Sequence, residues 1–354
     1  MATNKPQHTG EQQIASRVQT KKSKKKAKKK RPFLKALLFM LIFILLAAAG
    51  IGTYVYIKGS DAIKNISIAV DEDESGAKIS IPVNESVKEK PVTMLLLGID
   101  QRSGAGGLNT DVVMVAALNP NTKKGAVVAM SRDTKITYDG KTRKANAFYA
   151  NYYVAAQREG ADKVEAMRKA KEAAKQLFGD FYDIPLQYAV SANFQGFQDV
   201  VDVLGGVEVD VDMRMRWTDS HDGTDIDLHP GLQTLDGKKA LDFVRFRQSK
   251  GNPNASSDFE RNSRQTIVIK AIMNKMISLG GVTKIGSVID EITEDVHTDM
   301  PSEELTRMLT TYYNIDLDDI TFTTLQGKWK SPYVEADESS LAEVKQLLQS
   351  IISE

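Results

Sequence analysis

Residues Ala36 to Ile57, ALLFMLIFILLAAAGIGTYVYI, run for 22 positions without a charge. As a helix such a run spans roughly the 30 Å of a bilayer's hydrocarbon. It also divides the chain electrically. Residues 1–35 carry twelve Lys and Arg against the single acid Glu11, a net +11, while everything after them carries −10. Basic residues ahead of an apolar span hold the N-terminus in the cytoplasm, so the chain reads as a single-pass cell-membrane protein with its C-terminal bulk outside. Tyr54 and Tyr56 suit the outer interface. The competing reading is a cleavable signal peptide, with Ala47-Ala48-Ala49 as the cleavage site, but the apolar run exceeds the usual signal core. Beside a span, a polybasic tail meets anionic membrane lipid rather than nucleic acid. The organisation is then a basic tail (1–35), an anchor (36–57), a polar stalk (58–90) holding the acidic knot Asp71-Glu72-Asp73-Glu74, and a folded domain (91–354) opened by Pro91.

No cysteine occurs, which excludes disulfides, thiolate chemistry and Cys-ligated zinc. His221 and His229 stand among Asp219, Asp222, Asp225 and Asp227, but without metal-ligand spacing, and read as a solvated polar loop.

In the folded part, three short apolar runs have strand length: Val92–Ile99, Asp111–Leu118 and Gly125–Ser131. Paired as hairpins, they reverse direction twice. The end of the first (Asp100, Arg102), the start of the second (Asp111) and the end of the third (Arg132, Asp133) then meet on one edge. Every charge from Leu95 to Thr134 lies on that edge except the turn lysines Lys123 and Lys124. A basic loop, Tyr138–Lys144, follows. Helices are expected over Ala161–Phe178, ended by Gly179, and from the cap Asn193 to Leu204. Further helices are expected over Leu235–Phe243 and Asp258–Leu279. Strands are expected at Leu186–Ser191, Val207–Val211, Phe243–Arg247 and Ile320–Leu325. Interleaved strands and helices make an α/β fold, an α-β-α sandwich on a mixed central sheet, preceded by a single transmembrane helix.

Arg245 and Arg247, two apart on an extended backbone, share one face. Asp258, Arg261 and Gln265 share one side of a helix, with Arg264 pointing further round. An acid, a guanidinium and an amide together are costly in a core and suited to an anionic ligand.

The ordered blocks GID-x-R, TD, SRD, K-x-N-A-x-Y (Lys144, Asn146, Ala147, Tyr149), N-F-x-G-F (Asn193, Phe194, Gly196, Phe197), LGGVEVDV and D-x-x-R-x-x-R-Q resemble the LytR-CpsA-Psr family of bacterial cell-wall enzymes. The likeness runs from Val92 to Ala271. It departs from the family pattern at Asn109-Thr110, where Arg-Ser is usual, and at Glu260, where glycine is usual. The first departure removes one phosphate-binding cation.

The resemblance implies a magnesium-dependent phosphotransferase. Its substrates would be a glycopolymer with its linking phosphate, carried on undecaprenyl pyrophosphate, and peptidoglycan as acceptor. Mg2+ needs one or two carboxylates beside phosphate oxygens, which makes Asp100 and Asp111 the expected ligands. Arg102, Arg132, Arg245, Arg247 and Arg261 are the expected pyrophosphate clamps, with Gln265 as a neutral donor and Arg132 also following charge onto the leaving phosphate. Asp133 or Asp258 orients an arginine or takes the proton of the attacking hydroxyl; both assignments stand. The lipid needs an apolar groove, lined by the Phe194/Phe197 helix or by Phe148–Tyr153. Two alternatives use the same substrate: a pyrophosphate hydrolase, or an envelope regulator that binds without turnover.

Overall fold

The computed structural model describes residues 79–100, 108–219, 224–246, 258–278, 295–312 and 314–354. The basic tail, the 36–57 segment, the acidic knot, Arg102, His221, Asp222 and Arg247 lie outside these. So do the side chains of Asp219 and Asp258. Among the described residues no helix is long and apolar enough to cross a membrane.

The chain already packs ahead of Pro91. The Arg307 guanidinium donates to the Ile81 carbonyl at 2.8 Å, and the Val87 N–H donates to the buried Glu304 carboxylate at 2.9 Å. Three strands follow, β1 (Val92–Ile99), β2 (Thr110–Leu118) and β3 (Gly125–Met130), as an antiparallel meander. Its second turn is closed by Asn119, whose Oδ1 accepts from the Asn121 N–H at 2.9 Å. Next, β4 (Lys135–Tyr138) and β5 (Lys141–Lys144) form a hairpin where a basic loop was expected. The turn is Asp139-Gly140, both at positive φ, a pair whose twist matches a two-residue hairpin.

Helices α1 (Phe148–Arg158) and α2 (Lys163–Tyr182) follow. Gly179 lies inside α2 rather than ending it. A Cβ there would stand 2.9 Å from the Ile184 carbonyl oxygen, and the helix stops at Asp183 in the left-handed region. Then come β6 (Tyr188–Asn193), α3 (Phe194–Val203), β7 (Val207–Val211), β8 (Met215–Asp219), β9 (Thr224–Leu228) and β10 (Gly231–Leu235). The expected polar loop around His229 is in part the β8–β9 hairpin, with Asp227 paired to Arg214. The chain closes with α4 (Gly237–Arg245), α5 (Asp258–Ser278), β11 (Val296–Thr298), α6 (Ser302–Tyr312), β12 (Ile320–Thr324), β13 (Gly327–Lys330), β14 (Tyr333–Ala336) and α7 (Glu338–Ser353).

The central sheet has the order β11-β6-β1-β2-β3-β12, mixed because β1–β6 and β3–β12 are parallel and the other pairs antiparallel. Its inner strands are apolar on both faces because both are covered. Leu95, Leu97, Val113, Val115 and Val128 pack with Tyr149, Leu177, Phe178 and Leu348 of α1, α2 and α7. On the opposite face Met94, Met114, Ala116 and Val127 lie under α5 and α6. A further cluster joins α3, α4, β7, β9 and β10 to α5 through Val201, Val209, Ile226, Phe243 and Val268. The layers are helix, mixed sheet and helix.

Candidate active site

The site begins with an irregularity between β1 and β2. Their register steps from Gly98↔Val112 to Ile99↔Thr110, which leaves Asp111 as the extra residue of a β-bulge. A bulge re-aims side chains at a sheet edge. Gly98 is required there, since a Cβ would sit 2.9 Å from the Val112 side chain. The Asp100 N–H donates to the Asn109 carbonyl at 2.9 Å, which fixes the next residue of β1 beside the bulge.

Above this edge lies a cavity of about 360 Å³. Asp100, Asp111, Arg132, Arg245, Arg261 and Gln265 all line it. Arg132 follows β3 and pairs with Asp111. Arg245 is the last residue of α4, so it reaches the cavity from a helix end, not from the extended strand expected over Phe243–Arg247. Its guanidinium stacks on the Phe194 ring, 4.6 Å from the centroid. The cap Asp236, which accepts from the Lys239 N–H at 2.8 Å, starts α4, and the Phe246 N–H closes its end on the Asp242 carbonyl at 3.0 Å. On α5, Arg261, Gln265 and Ile269 stand four apart and line the cavity together. Arg264 turns away. It is 1% exposed, paired to Asp212 at 2.9 Å, and lies 5.8 and 5.7 Å from the Phe243 and Phe246 ring centroids.

The rest of the cavity is apolar. Leu96 of β1, Val112 and Met114 of β2, and Val190 and Ala192 of β6 form one wall from alternate strand positions. Phe194 and Phe197 of α3, with Leu241 and Val244 of α4, form the other. Gly196 lets α3 approach, because a Cβ would meet the Asp295 backbone at 2.8 Å. The alternative lining, Phe148–Tyr153, is not used: Phe148, Tyr149 and Tyr153 are buried in the core on the opposite face of the sheet. The strand-borne wall carries no separate signal in the sequence, since its residues read as ordinary core.

Asp133 does not line the cavity. Its buried carboxylate takes the Lys144 ammonium at 2.8 Å, and the Asn146 N–H donates to the Arg132 carbonyl at 3.0 Å. Both bonds brace the loop that carries Arg132. The Asp242 carboxyl, one helical turn before Phe246, is pushed up by burial and held down in part by Lys238 at 2.9 Å.

Among the described residues no three His, Asp or Glu side chains gather into a metal cage. Two carboxylates on one cavity wall, Asp100 and Asp111, instead match the donor set of Mg2+ bound through one or two carboxylates plus phosphate oxygens and water. The arrangement suits an amphipathic ligand: a dianionic or trianionic head against three guanidiniums and an amide, and a hydrocarbon tail against the apolar walls.

Residues 53–350 match the model of the LytR_cpsA_psr family. Among named relatives, the polyisoprenyl-teichoic acid–peptidoglycan teichoic acid transferase TagU of Bacillus subtilis (strain 168) is 29% identical over 316 residues, covering 87% of this chain and 92% of that protein. TagU of Bacillus cereus (strain AH820) is 31% identical over 272 residues, 76% of this chain and 79% of that one. The crystal structure of B. subtilis TagV superposes with a TM-score of 0.60 at 25% identity, covering 75% of this chain and 98% of that one.

Proposed function

The chain belongs to the LytR-CpsA-Psr family, and on that premise we propose that it transfers a cell-wall glycopolymer, with its linking phosphate, from a polyprenyl-pyrophosphate carrier to peptidoglycan. The TagU relatives, named as teichoic acid transferases acting on peptidoglycan, support the reaction class. The single observation that carries the reading is the mixed lining of one cavity, three arginines and two carboxylates beside walls of apolar side chains.

In this mechanism the Arg132, Arg245 and Arg261 guanidiniums bind the diphosphate oxygens in forked pairs and lower the repulsion facing an incoming hydroxyl. The acceptor sugar's hydroxyl oxygen bonds to the sugar-side phosphorus as the bridging P–O bond breaks, and polyprenyl phosphate leaves carrying the proton that the hydroxyl gives up. Charge moves to the bridging oxygen, and the fixed guanidiniums receive it without reorganising. Gln265 adds a neutral N–H donor. Asp100 and Asp111 would hold Mg2+, which supplies Lewis-acid screening of the phosphates when bound. Asp133 keeps Arg132 placed through its Lys144 contact, and the Asn146 N–H holds the same loop by donating to the Arg132 carbonyl. The apolar walls take the prenyl chain and exclude water, which favours transfer over hydrolysis. The 36–57 segment anchors the enzyme beside its lipid substrate.

The test incubates the full chain in detergent with lipid-linked polymer and peptidoglycan. Attachment of polymer to the wall, lost in Asp111→Ala and Arg132→Ala, supports the reading. Release of free phosphorylated glycan in the presence of acceptor makes the protein a hydrolase instead.

A further inference from the structure

Trp329 on β13 is 57% exposed, and among the described residues it is the one aromatic side chain in that state. Exposing an indole forfeits a large apolar burial, so the ring is held out by its surroundings. The Lys144 ammonium stands 5.6 Å from its centroid and binds Asp133 at 2.8 Å. Trp329 pairs across the hairpin with Val334, whose N–H donates to the Asp133 carbonyl at 2.8 Å. Thr134 bridges to the same Val334. Asp133 directly follows Arg132, so the indole is tied through Val334 and the Asp133 backbone to a residue that lines the cavity.

The charge around the ring is predominantly positive. The β4–β5 and β13–β14 hairpins carry six Lys or Arg against two acids, Asp139 and Glu335, and Lys135 and Lys330 share Glu335. The chain beyond residue 35 is otherwise strongly acidic. An isolated apolar ring in a basic rim is too small for a stable protein interface. It matches a ligand of alternating sugar faces and phosphates, in which C–H-rich faces stack on the indole and phosphates meet the lysines.

We infer that the β13–β14 hairpin with Lys144 is a platform for the anionic, phosphodiester-linked glycan of the donor where it emerges from the cavity. This deepens the transferase reading and rests on it for the identity of the ligand. The cavity takes the lipid and diphosphate, while the platform takes the first repeats of the polymer.

The experiment uses the full chain in detergent micelles. The first arm titrates a soluble phosphodiester-linked wall glycan, released from its lipid, and the same glycan stripped of phosphate. The expected result is tighter binding of the phosphorylated form, weakened by salt, and about tenfold weaker binding in Trp329→Ala with partial recovery in Trp329→Phe. The second arm compares donors bearing a long polymer or only the linkage sugars. Trp329→Ala is expected to raise KM about tenfold for the long donor and less than about twofold for the short one, with kcat held. Equal KM changes for both donors, unchanged glycan binding, a shift in the KM for peptidoglycan instead, or a Trp329-dependent loss of binding to anionic vesicles would each overturn the platform. Trp329-dependent glycan binding in a protein that performs no transfer would sustain the platform while ending the transferase reading.

Discussion

Asp111 and Arg132 stand opposite each other where the β2–β3 register, Val113↔Met130 at its last ladder pair, runs past the end of the strands. Their ion pair closes that end. Asp111 is also the bulged residue of β2, so one irregularity places both an acid and the guanidinium it orients on the cavity wall. The fold itself holds the guanidinium in place on the cavity wall.

Arg132→Lys is therefore expected to behave as a catalytic lesion, not a structural one. A single ammonium cannot fork to Asp111 and a phosphate together. We expect kcat to fall by about 100-fold or more, with stability changed by less than about 1 kcal/mol because the pair is partly solvated. Steady-state kinetics beside urea unfolding checks both halves.

Two arginines three residues apart on α5 are expected to fail in opposite ways. Arg261→Ala should remove transfer and leave the fold. Arg264→Ala should cost about 2–3 kcal/mol, since it strips the partner of Asp212 and the cation between Phe243 and Phe246. Arg264→Lys restores charge without the planar stack and should recover only part of this. Denaturant midpoints for the three variants, set against their activities, decide it.

Gly196→Ala is expected to disable the cavity from behind. The new methyl meets the Asp295 backbone at 2.8 Å, so α3 must shift and carry Phe194 and Phe197 with it. Overpacking of this kind costs about 1–3 kcal/mol. A rise in KM that grows with prenyl length, measured on short and long polyprenyl donors, is the expected signature.

Lys171, in α2, gives a pH prediction. It is 1% exposed, and its Nζ has no hydrogen-bond partner among the described residues. Burial lowers its pKa to about 7, Asp299 opposes that shift, and Lys175 adds to it. Between pH 7 and the unfolded value near 10.5 the unfolded chain binds a proton that the native chain lacks, so stability rises with pH there. The cost of the buried amine is complete below pH 7 and fades towards 10.5. Lys171→Met should thus stabilise most at acid pH, with the gain shrinking by up to about 1.4 kcal/mol per pH unit above 7. Melting curves of both proteins from pH 6 to 10 measure the difference. A gain independent of pH would show that the amine is charged throughout.

The meander was legible because its runs are short, apolar and bounded by Gly- and Asn-containing turns, and the hairpin argument alone brings Asp100, Asp111 and Arg132 together. Arg245 was placed in the site by a wrong local structure. Ala240, Leu241 and Val244 follow helical spacing, and that spacing outweighs the strand-like look of Phe243–Arg247. The Asp139-Gly140 hairpin is legible from its dipeptide, whose turn preference outweighs the loop-like look of the basic residues around it. The apolar wall of the cavity was hidden for a physical reason: Leu96, Met114 and Val190 are equally apolar whether they face another layer or a cavity, so periodicity does not separate the cases. Arg102, Arg247 and the Asp258 carboxylate lie outside the described residues and remain expectations of the sequence.

Passage of a sugar-phosphate from a lipid diphosphate to the wall through the guanidinium-lined cavity is tested by following a donor radiolabelled at the sugar-side phosphorus through a single turnover of the full chain with peptidoglycan. The label is expected in the wall with the polymer, with unlabelled polyprenyl monophosphate released in equal amount. Label retained on the lipid, or found in solution while the wall gains nothing, would contradict it.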